Sequence, residues 1–238
     1  MGEASIAMSI AGSMALQQAA FDSEALALNA GVAGPFGFAD EDAFKAWRDR
    51  KLAHFPNHGG DLVVELRNPA APSAAESAAI VERVRRAGMA VYAGPALNGV
   101  EESKDLVRAL GAHFGLTRLD QNPYADEDAI TPLHVAAGED AREAGRKLYI
   151  PYTSRAINWH TDGYYNSYTE RVQAMVLHCV SDAAGGGENE LMDHEMAYIC
   201  IRDENPDYIR ALMQPDVMTI PPNVENGVMI RDSITGPV

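Results

Sequence analysis

Basic residues, cysteines and long apolar runs are all scarce in this sequence of 238 residues. Lys and Arg total 19 against 34 Asp and Glu, which gives a net charge of −15 at neutral pH. A strongly negative charge disfavours nucleic acid and anionic membranes, so we expect neither as a partner. Two cysteines, Cys179 and Cys200, are too few for a disulfide framework. We therefore predict a reducing, cytoplasmic environment.

The N-terminal segment is mildly apolar but lacks the basic start that a secretory signal needs. It carries Glu3 where a signal peptide would have Lys or Arg, so we expect this segment to belong to the mature protein. No run of about 18 apolar residues occurs, which predicts that no segment spans a membrane. The apolar content of 47% is ordinary for a globular protein and is sufficient for a sizeable core.

The first part of the sequence predicts mostly helices. Residues 1–57 are rich in Ala and are interpreted as a helical N-terminal extension to a domain at 58–238. Ser73 and Glu76 have the spacing of a capping box, which predicts the start of a helix that Gly88 ends. The other predicted elements here are helices at 40–55 and 101–115, strands at 61–69 and 89–94 (the second buried), and a loop at 116–145.

The second part predicts mostly strands with helical insertions. Asn205 is a candidate N-cap for a helix that begins at Pro206. The remaining predicted elements are strands at 146–153, 171–181, 216–222 and 227–232, a Gly-rich turn leading into a strand within 183–193, and a helix at 194–204. Helices followed by strands indicate an α+β fold or a mainly β core.

The sequence NWHTDGYYN, residues 158–166, places His160 and Asp162 two positions apart. In an extended segment, residues i and i+2 point the same way, so an imidazole nitrogen and a carboxylate oxygen would face one point. That donor pair suits a divalent metal, with Fe(II) the main candidate if a third ligand completes the face. The alternative is a surface histidine beside an aspartate that serves as a turn residue.

Other residues of chemical interest have simpler interpretations. The glycine-rich stretches lack the spacing of a phosphate-binding loop. Cys179 and His178 are neighbours on a predicted strand and point to opposite faces, so we expect a buried structural cysteine rather than a nucleophile. Asp193 and Glu195 lie at a predicted helix start, where carboxylates usually serve as caps. We expect His194 to be a solvated residue at that helix start.

A family resemblance follows from three features read in order. They are the His-x-Asp-x-Tyr-Tyr pattern beginning at His160, the strand ending Leu-His-Cys at Cys179, and the Gly-Gly-x-Asn-x-Leu-x-Asp pattern ending at Asp193. Together they resemble the taurine dioxygenase (TauD/TfdA-like) family of Fe(II)- and 2-oxoglutarate-dependent oxygenases. The Tyr pair and the Leu-His-Cys strand are most similar to the branch that holds gamma-butyrobetaine and trimethyllysine hydroxylases. The strong resemblance covers roughly residues 146–213.

This resemblance implies a double-stranded β-helix, a jelly-roll core with flanking helices. It implies that His160 and Asp162 are two of three iron ligands and that Asn189 binds the 2-oxoglutarate co-substrate. It also implies that O₂ and a small organic molecule are the other reactants. Asn158, Tyr164 and Tyr165 are candidate substrate-pocket residues, whose rings could hold an ammonium group or could serve only in packing.

The same resemblance raises a question about the rest of the site. In the family, a distal His and a 2-oxoglutarate-binding Arg follow, whereas the later histidines here, His178 and His194, do not match that position. We therefore expect the C-terminal part of the barrel to be missing, and bare sheet edges would then favour homo-oligomers. Two alternatives stay open: a catalytically incomplete remnant or subunit of such an enzyme, and a jelly-roll metal protein that does not use 2-oxoglutarate.

Overall fold

The structure, a computed structural model, describes residues 4–10, 34–120, 126–135, 149–166, 170–225 and 227–236, with backbone alone for 4–10 and 225. The chain divides into two compact units. Unit 1 comprises Met1–Met14, Glu65–Ser77 and Tyr92–Glu190, and unit 2 comprises Ala15–Val64, Ala78–Val91 and Leu191–Val238. The sequence-predicted boundary near residue 57 stays a prediction.

Five α-helices are present in the described residues. They are α1 (Glu41–His54), α2 (Ala74–Ala87), α3 (Val100–His113), α4 (His194–Glu204) and α5 (Pro206–Leu212). Short 3₁₀ helices occupy Gly59–Leu62 and Ile150–Tyr152. None of the helices in the described ranges is long and apolar enough to cross a membrane.

Within the ranges that the structure describes, nine strands form four small sheets. They are β1 (Ala4–Ile10), β2 (Val63–Glu65), β3 (Val91–Ala93), β4 (Thr131–Leu133), β5 (Ala174–Ser181), β6 (Met218–Ile220), β7 (Asn223–Glu225), β8 (Val228–Arg231) and β9 (Ile234–Gly236). One sheet has the order β4-β1-β5, and the others are the pairs β2-β3, β6-β9 and β7-β8.

Strand β5 organises unit 1. It pairs antiparallel with β1, and β1 pairs antiparallel with β4. Val176 and Val180, on one face of β5, pack against a buried cluster formed by Leu106 and Val107 of α3 with Ile130. Because side chains alternate along a strand, Leu177, Cys179 and Ser181 lie on the other face.

Unit 2 contains an aromatic cluster around one buried arginine. Phe44 and Trp47 of α1 pack with Tyr198 of α4 at ring-centroid distances of 6.1 and 6.2 Å. The guanidinium of Arg202 lies over the Phe44 ring at 3.9 Å from its centroid. On the same two helices, Lys51 forms ion pairs with Asp193 at 2.6 Å and Glu195 at 2.5 Å.

The helix ends follow the predicted capping residues. Ser73 and Glu76 form the predicted capping box, in which the Glu76 side chain accepts from Ser73 N at 2.7 Å. Hydrogen bonds from the Ser73 side chain and from backbone amides hold the pKa of Glu76 down at about 2. Gly88 ends α2 with a φ of +70°, a conformation that glycine adopts at little cost. Asn205 caps α5 by accepting from Asp207 N at 2.9 Å.

Several predicted elements differ from the observed ones. The predicted strand at 146–153 is wrong where it is described, because Ile150–Tyr152 forms a 3₁₀ helix. No strand forms within 183–193, and β4 forms inside the predicted loop at 116–145. Residues 4–10 of the predicted helical extension form β1. The predicted buried strand at 89–94 is present as β3, but Val91 is exposed.

The mixed helix and strand content matches the predicted α+β class. The described residues contain small sheets and no closed barrel. The jelly-roll core and its missing C-terminal part therefore stay predictions.

Candidate functional site

His160 and Asp162 face each other in the irregular segment that precedes β5. Their side chains are 41% and 45% exposed, and His160 Nε2 lies 3.6 Å from Asp162 Oδ1. The segment around them is not a strand. The structure thus brings the two predicted ligands together, although without the strand geometry from which their pairing was argued.

A backbone contact fixes which imidazole nitrogen is available. His160 Nδ1 lies 2.8 Å from the carbonyl oxygen of Asn158. Because a carbonyl only accepts, Nδ1 carries the hydrogen in this contact, which leaves Nε2, on the side of Asp162, as the nitrogen available to a metal. A histidine that ligates a metal commonly donates its other ring N–H in this way.

The pair can be tested against the size of a metal ion. An ion held at about 2.0–2.2 Å from each donor can bridge donors up to about 4 Å apart. The separation of 3.6 Å between His160 and Asp162 falls within that limit. No group of three or more His, Cys, Asp and Glu side chains suited to a metal occurs among the described residues. The pair therefore fits two ligand positions, and the described ranges do not supply a third.

A tight turn follows directly after Asp162. Gly163 has a φ of +65°, and its carbonyl accepts from Asn166 N at 2.8 Å. A Cβ at Gly163 would lie 2.5 Å from Val172 Cγ2 and 3.1 Å from Asn166 Nδ2. Both the backbone conformation and the close approach therefore require glycine at this position.

Asn166 and Asp120 are the residues near the pair that sequence reasoning missed. Asn166 Nδ2 donates to Asp120 Oδ1 at 3.2 Å and to the Glu170 carbonyl at 3.1 Å. Burial, together with the negative charges of Glu170 and Asp162, raises the pKa of Asp120, although the bond from Asn166 opposes the shift. The Asn166 turn was open to prediction from the Gly163 pattern, whereas nothing in the sequence links Asp120 to it.

The predicted substrate residues are aromatic and accessible. The rings of Tyr164 and Tyr165 meet edge to face with centroids 5.2 Å apart. Tyr164 is 55% exposed, and the neighbouring Trp159 is 61% exposed. Asn158 contributes the carbonyl that contacts His160. These residues flank the donor pair along the chain, and their role toward a substrate stays a prediction.

Asn189 lines a pocket of about 410 Å³ that does not contain the donor pair. The lining does not include His160 or Asp162 and is made of Leu177, Cys179, Ser181, Asp182, Ala183, Gly186, Gly187, Glu188 and Asn189. Asn189 Nδ2 donates to the Gly187 carbonyl at 3.2 Å. The amide and the Ser181 hydroxyl suit a carboxylate ligand, but Asp182 and Glu188 oppose one, and no Lys or Arg is among these lining residues.

Of the two later histidines, His194 has the role that the sequence indicated, and His178 packs within unit 1. His178 is half-buried, with Nδ1 2.7 Å from the Tyr92 hydroxyl, and burial lowers its pKa. His194 is exposed at the first position of α4. Asp193 is the N-cap of that helix, as predicted. The prediction of a buried Cys179 is wrong, because Cys179 is exposed at the pocket. Neither Cys179 nor Cys200 forms a disulfide bond.

Replacing Gly163 by alanine is expected to lower the free energy of unfolding by about 2–4 kcal/mol. The positive φ contributes about 1–2 kcal/mol and the overlap with Val172 contributes the rest. Gly115→Ala is the matched control, because Gly115 has a φ of +78° with no atom within 4 Å of an added Cβ. Urea unfolding of both variants measures the difference. Equal losses would show that the close approach to Val172 has no energetic weight.

Comparison with known families gave one match. The model of the family described as "Taurine catabolism dioxygenase TauD, TfdA family" matches residues 49–225, which is well over half of the chain. Comparison with curated proteins and with solved structures gave no match.

Proposed function

Because the chain belongs to the TauD, TfdA family of dioxygenases, we propose that it is an Fe(II)- and 2-oxoglutarate-dependent dioxygenase that hydroxylates a small organic molecule. The observation that carries the proposal is the facing pair His160 and Asp162, with donor atoms 3.6 Å apart. Iron bound with 2-oxoglutarate and O₂ would supply the oxidising power to hydroxylate a C–H bond.

The residues of the pair have distinct tasks. His160 would hold the metal through Nε2, since its Nδ1–H is engaged by the Asn158 carbonyl. That contact fixes the ring orientation and the tautomer, which strengthens a histidine ligand. Asp162 would contribute a carboxylate oxygen, whose negative charge offsets part of the charge of a divalent ion.

Asn189 would donate an amide N–H to a carboxylate of 2-oxoglutarate. Its Nδ2 is satisfied by the Gly187 carbonyl in the structure, so binding would exchange one acceptor for another. The nearby Asp182 and Glu188 disfavour a dicarboxylate in the same pocket. The role of Asn189 is therefore the part of the proposal that an experiment can reject most readily.

For the substrate, we propose a small molecule that carries an ammonium group. Tyr164 presents an exposed ring close in sequence to the pair, the half-buried Tyr165 packs against it, and ring faces attract ammonium cations. This choice agrees with the branch of gamma-butyrobetaine and trimethyllysine hydroxylases that the sequence resembles. Asn158 would line the same substrate site as the two tyrosines.

Anaerobic addition of Fe(II) and 2-oxoglutarate is expected to produce a visible metal-to-ligand charge-transfer band. His160→Ala is expected to abolish the band, because it removes one of two identified donors. His194→Ala is the matched control, since it removes an exposed histidine at a helix start and should leave the band unchanged. Asn189→Ala should weaken 2-oxoglutarate binding by about tenfold, the cost of one charge-assisted hydrogen bond.

The same titration separates the proposal from its alternatives. No band in folded wild-type protein would reject the proposal for this chain and favour the incomplete remnant or subunit. Metal binding that depends on His160 but is unaffected by 2-oxoglutarate would favour a metal protein of other chemistry. A normal band in Asn189→Ala would remove Asn189 from the co-substrate site while leaving the metal pair in place.

A further inference from the structure

The turn that follows Asp162 is held by one amide side chain with two acceptors. Asn166 Nδ2 donates to Asp120 Oδ1 at 3.2 Å and to the Glu170 carbonyl at 3.1 Å, and Asn166 N donates to the Gly163 carbonyl at 2.8 Å. Both N–H groups of one amide are thus used, which is the full donor capacity of an asparagine. The side chain ties the turn to Asp120, 46 residues earlier, and to Glu170, four residues later.

The position of this amide is coupled to the donor pair by the backbone. A Cβ at Gly163, the residue next to Asp162, would lie only 3.1 Å from Asn166 Nδ2. The amide therefore packs directly on the backbone that leaves Asp162. Since the His160 and Asp162 side chains are both more than one third exposed, their own packing does little to fix them. The Asn158 carbonyl orients the His160 ring, whereas the turn at Gly163 holds the backbone that carries Asp162.

We propose that Asn166 is a positioning residue for the metal pair, with Asp120 as its acceptor, so that the Asn166–Asp120 bond holds Asp162 ready for the ion. This inference rests on the proposed function. The direction of the Asn166–Asp120 hydrogen bond matters as well as its presence. Asn166 must donate and Asp120 must accept, so a carboxylate at 166 would face both the Asp120 carboxylate and the Glu170 carbonyl.

The test combines metal affinity with a donor–acceptor exchange. Mn(II) or Fe(II) binding is measured by calorimetry under anaerobic conditions. Asn166→Ala should weaken binding by about 10–100-fold, the usual effect of removing a group that orients a ligand. Asn166→Asp should weaken it at least as much. The double variant Asn166→Asp with Asp120→Asn has the wild-type net charge and reverses the bond between these residues, so it should regain part of the lost affinity, although its carboxylate still faces the Glu170 carbonyl.

Controls separate positioning from general destabilisation. Asn68→Ala removes an amide whose side chain accepts a local turn bond from Ala70 N, and it should leave metal affinity unchanged. The backbone N–H of residue 166, which donates to the Gly163 carbonyl, should exchange faster in metal-free Asn166→Asp than in wild type, and it should slow again in the double variant. Wild-type affinity in Asn166→Ala, or no recovery in the double variant, would overturn the inference.

The two levels of the hypothesis fail in different ways. If wild-type protein binds no metal, the proposed function fails and the positioning of a metal ligand fails with it. The hydrogen-exchange measurement then still decides whether the Asn166–Asp120 bond holds the turn. If wild type binds metal and Asn166→Ala binds equally well, the proposed function stands and the positioning role is rejected.

Discussion

Asp193→Ala is expected to lower the free energy of unfolding by about 3 kcal/mol, the lower part of the range for breaking a buried ion pair. The Asp193 side chain is fully buried, and it pairs with Lys51, which is itself only 5% exposed. Its loss leaves the ammonium of Lys51 in a poorly solvated position. Glu195 remains as a partner at 2.5 Å, which limits the loss. Urea unfolding at neutral pH measures the change.

Two further variants separate the contribution of the Asp193 charge from the contribution of the Asp193 N-cap to the loss of stability. Asp193 Oδ1 also accepts from Glu195 N at 2.9 Å, which caps α4. Asp193→Asn keeps an oxygen for that bond and removes the charge, so it should cost less than Asp193→Ala by about 1 kcal/mol, the usual value of a cap. Asp193→Ala with Lys51→Met should regain stability relative to Asp193→Ala, because the unpaired ammonium is gone. A further loss in the double variant would contradict the ion-pair explanation.

The pH dependence of this pair has a definite sign. Burial alone would lower the pKa of Lys51, but the bonds and charges of Asp193 and Glu195 outweigh it and raise the pKa above its ordinary value. A raised folded-state pKa gives stability that is fully present below the unfolded-state pKa. The contribution of Lys51 is therefore complete at neutral pH and is lost only in strongly alkaline solution.

Helix ends were the part of the fold that the sequence predicted best. Capping is decided by residues two or three positions apart, so Ser73 with Glu76 and Asn205 before Pro206 could be recognised from the sequence alone. The His160 and Asp162 pair was predictable for the same reason, since only two positions separate its members. Local chemistry of this kind does not depend on the rest of the chain.

Long-range pairing was not predictable, and it explains the errors. Strand β1 exists because it lies between β4 and β5, far away in the sequence, whereas the Ala-rich composition of residues 1–57 as a whole favoured helix. Asp120 reaches Asn166 across a gap of 46 residues, so no local spacing in the sequence predicts the contact. Cys179 looked buried from its apolar neighbours, but the pocket opens on its face of β5.

Arg202→Ala is expected to lower the free energy of unfolding by about 3–5 kcal/mol. The Arg202 side chain is 1% exposed and donates to the carbonyls of Pro35 at 3.0 Å and Gly37 at 3.2 Å. Each hydrogen bond from a charged group contributes about 1.5–3 kcal/mol, and contacts of the guanidinium with Phe44 add to this. Alanine would also leave a cavity among the aromatic rings.

Arg202→Lys and Arg210→Ala test which property of Arg202 accounts for the expected loss of stability in Arg202→Ala. Lysine keeps the charge but cannot donate from a planar fork to two separate carbonyls, so Arg202→Lys should still lose about 2 kcal/mol or more. Arg210 lies over Phe38 at 4.2 Å but is half exposed, and Arg210→Ala should cost less than about 1 kcal/mol. In a Trp159→Phe background, fluorescence reports on Trp47 within the aromatic cluster. Full stability in Arg202→Lys would show that charge alone, rather than the forked contacts, holds residues 35–37 against α4.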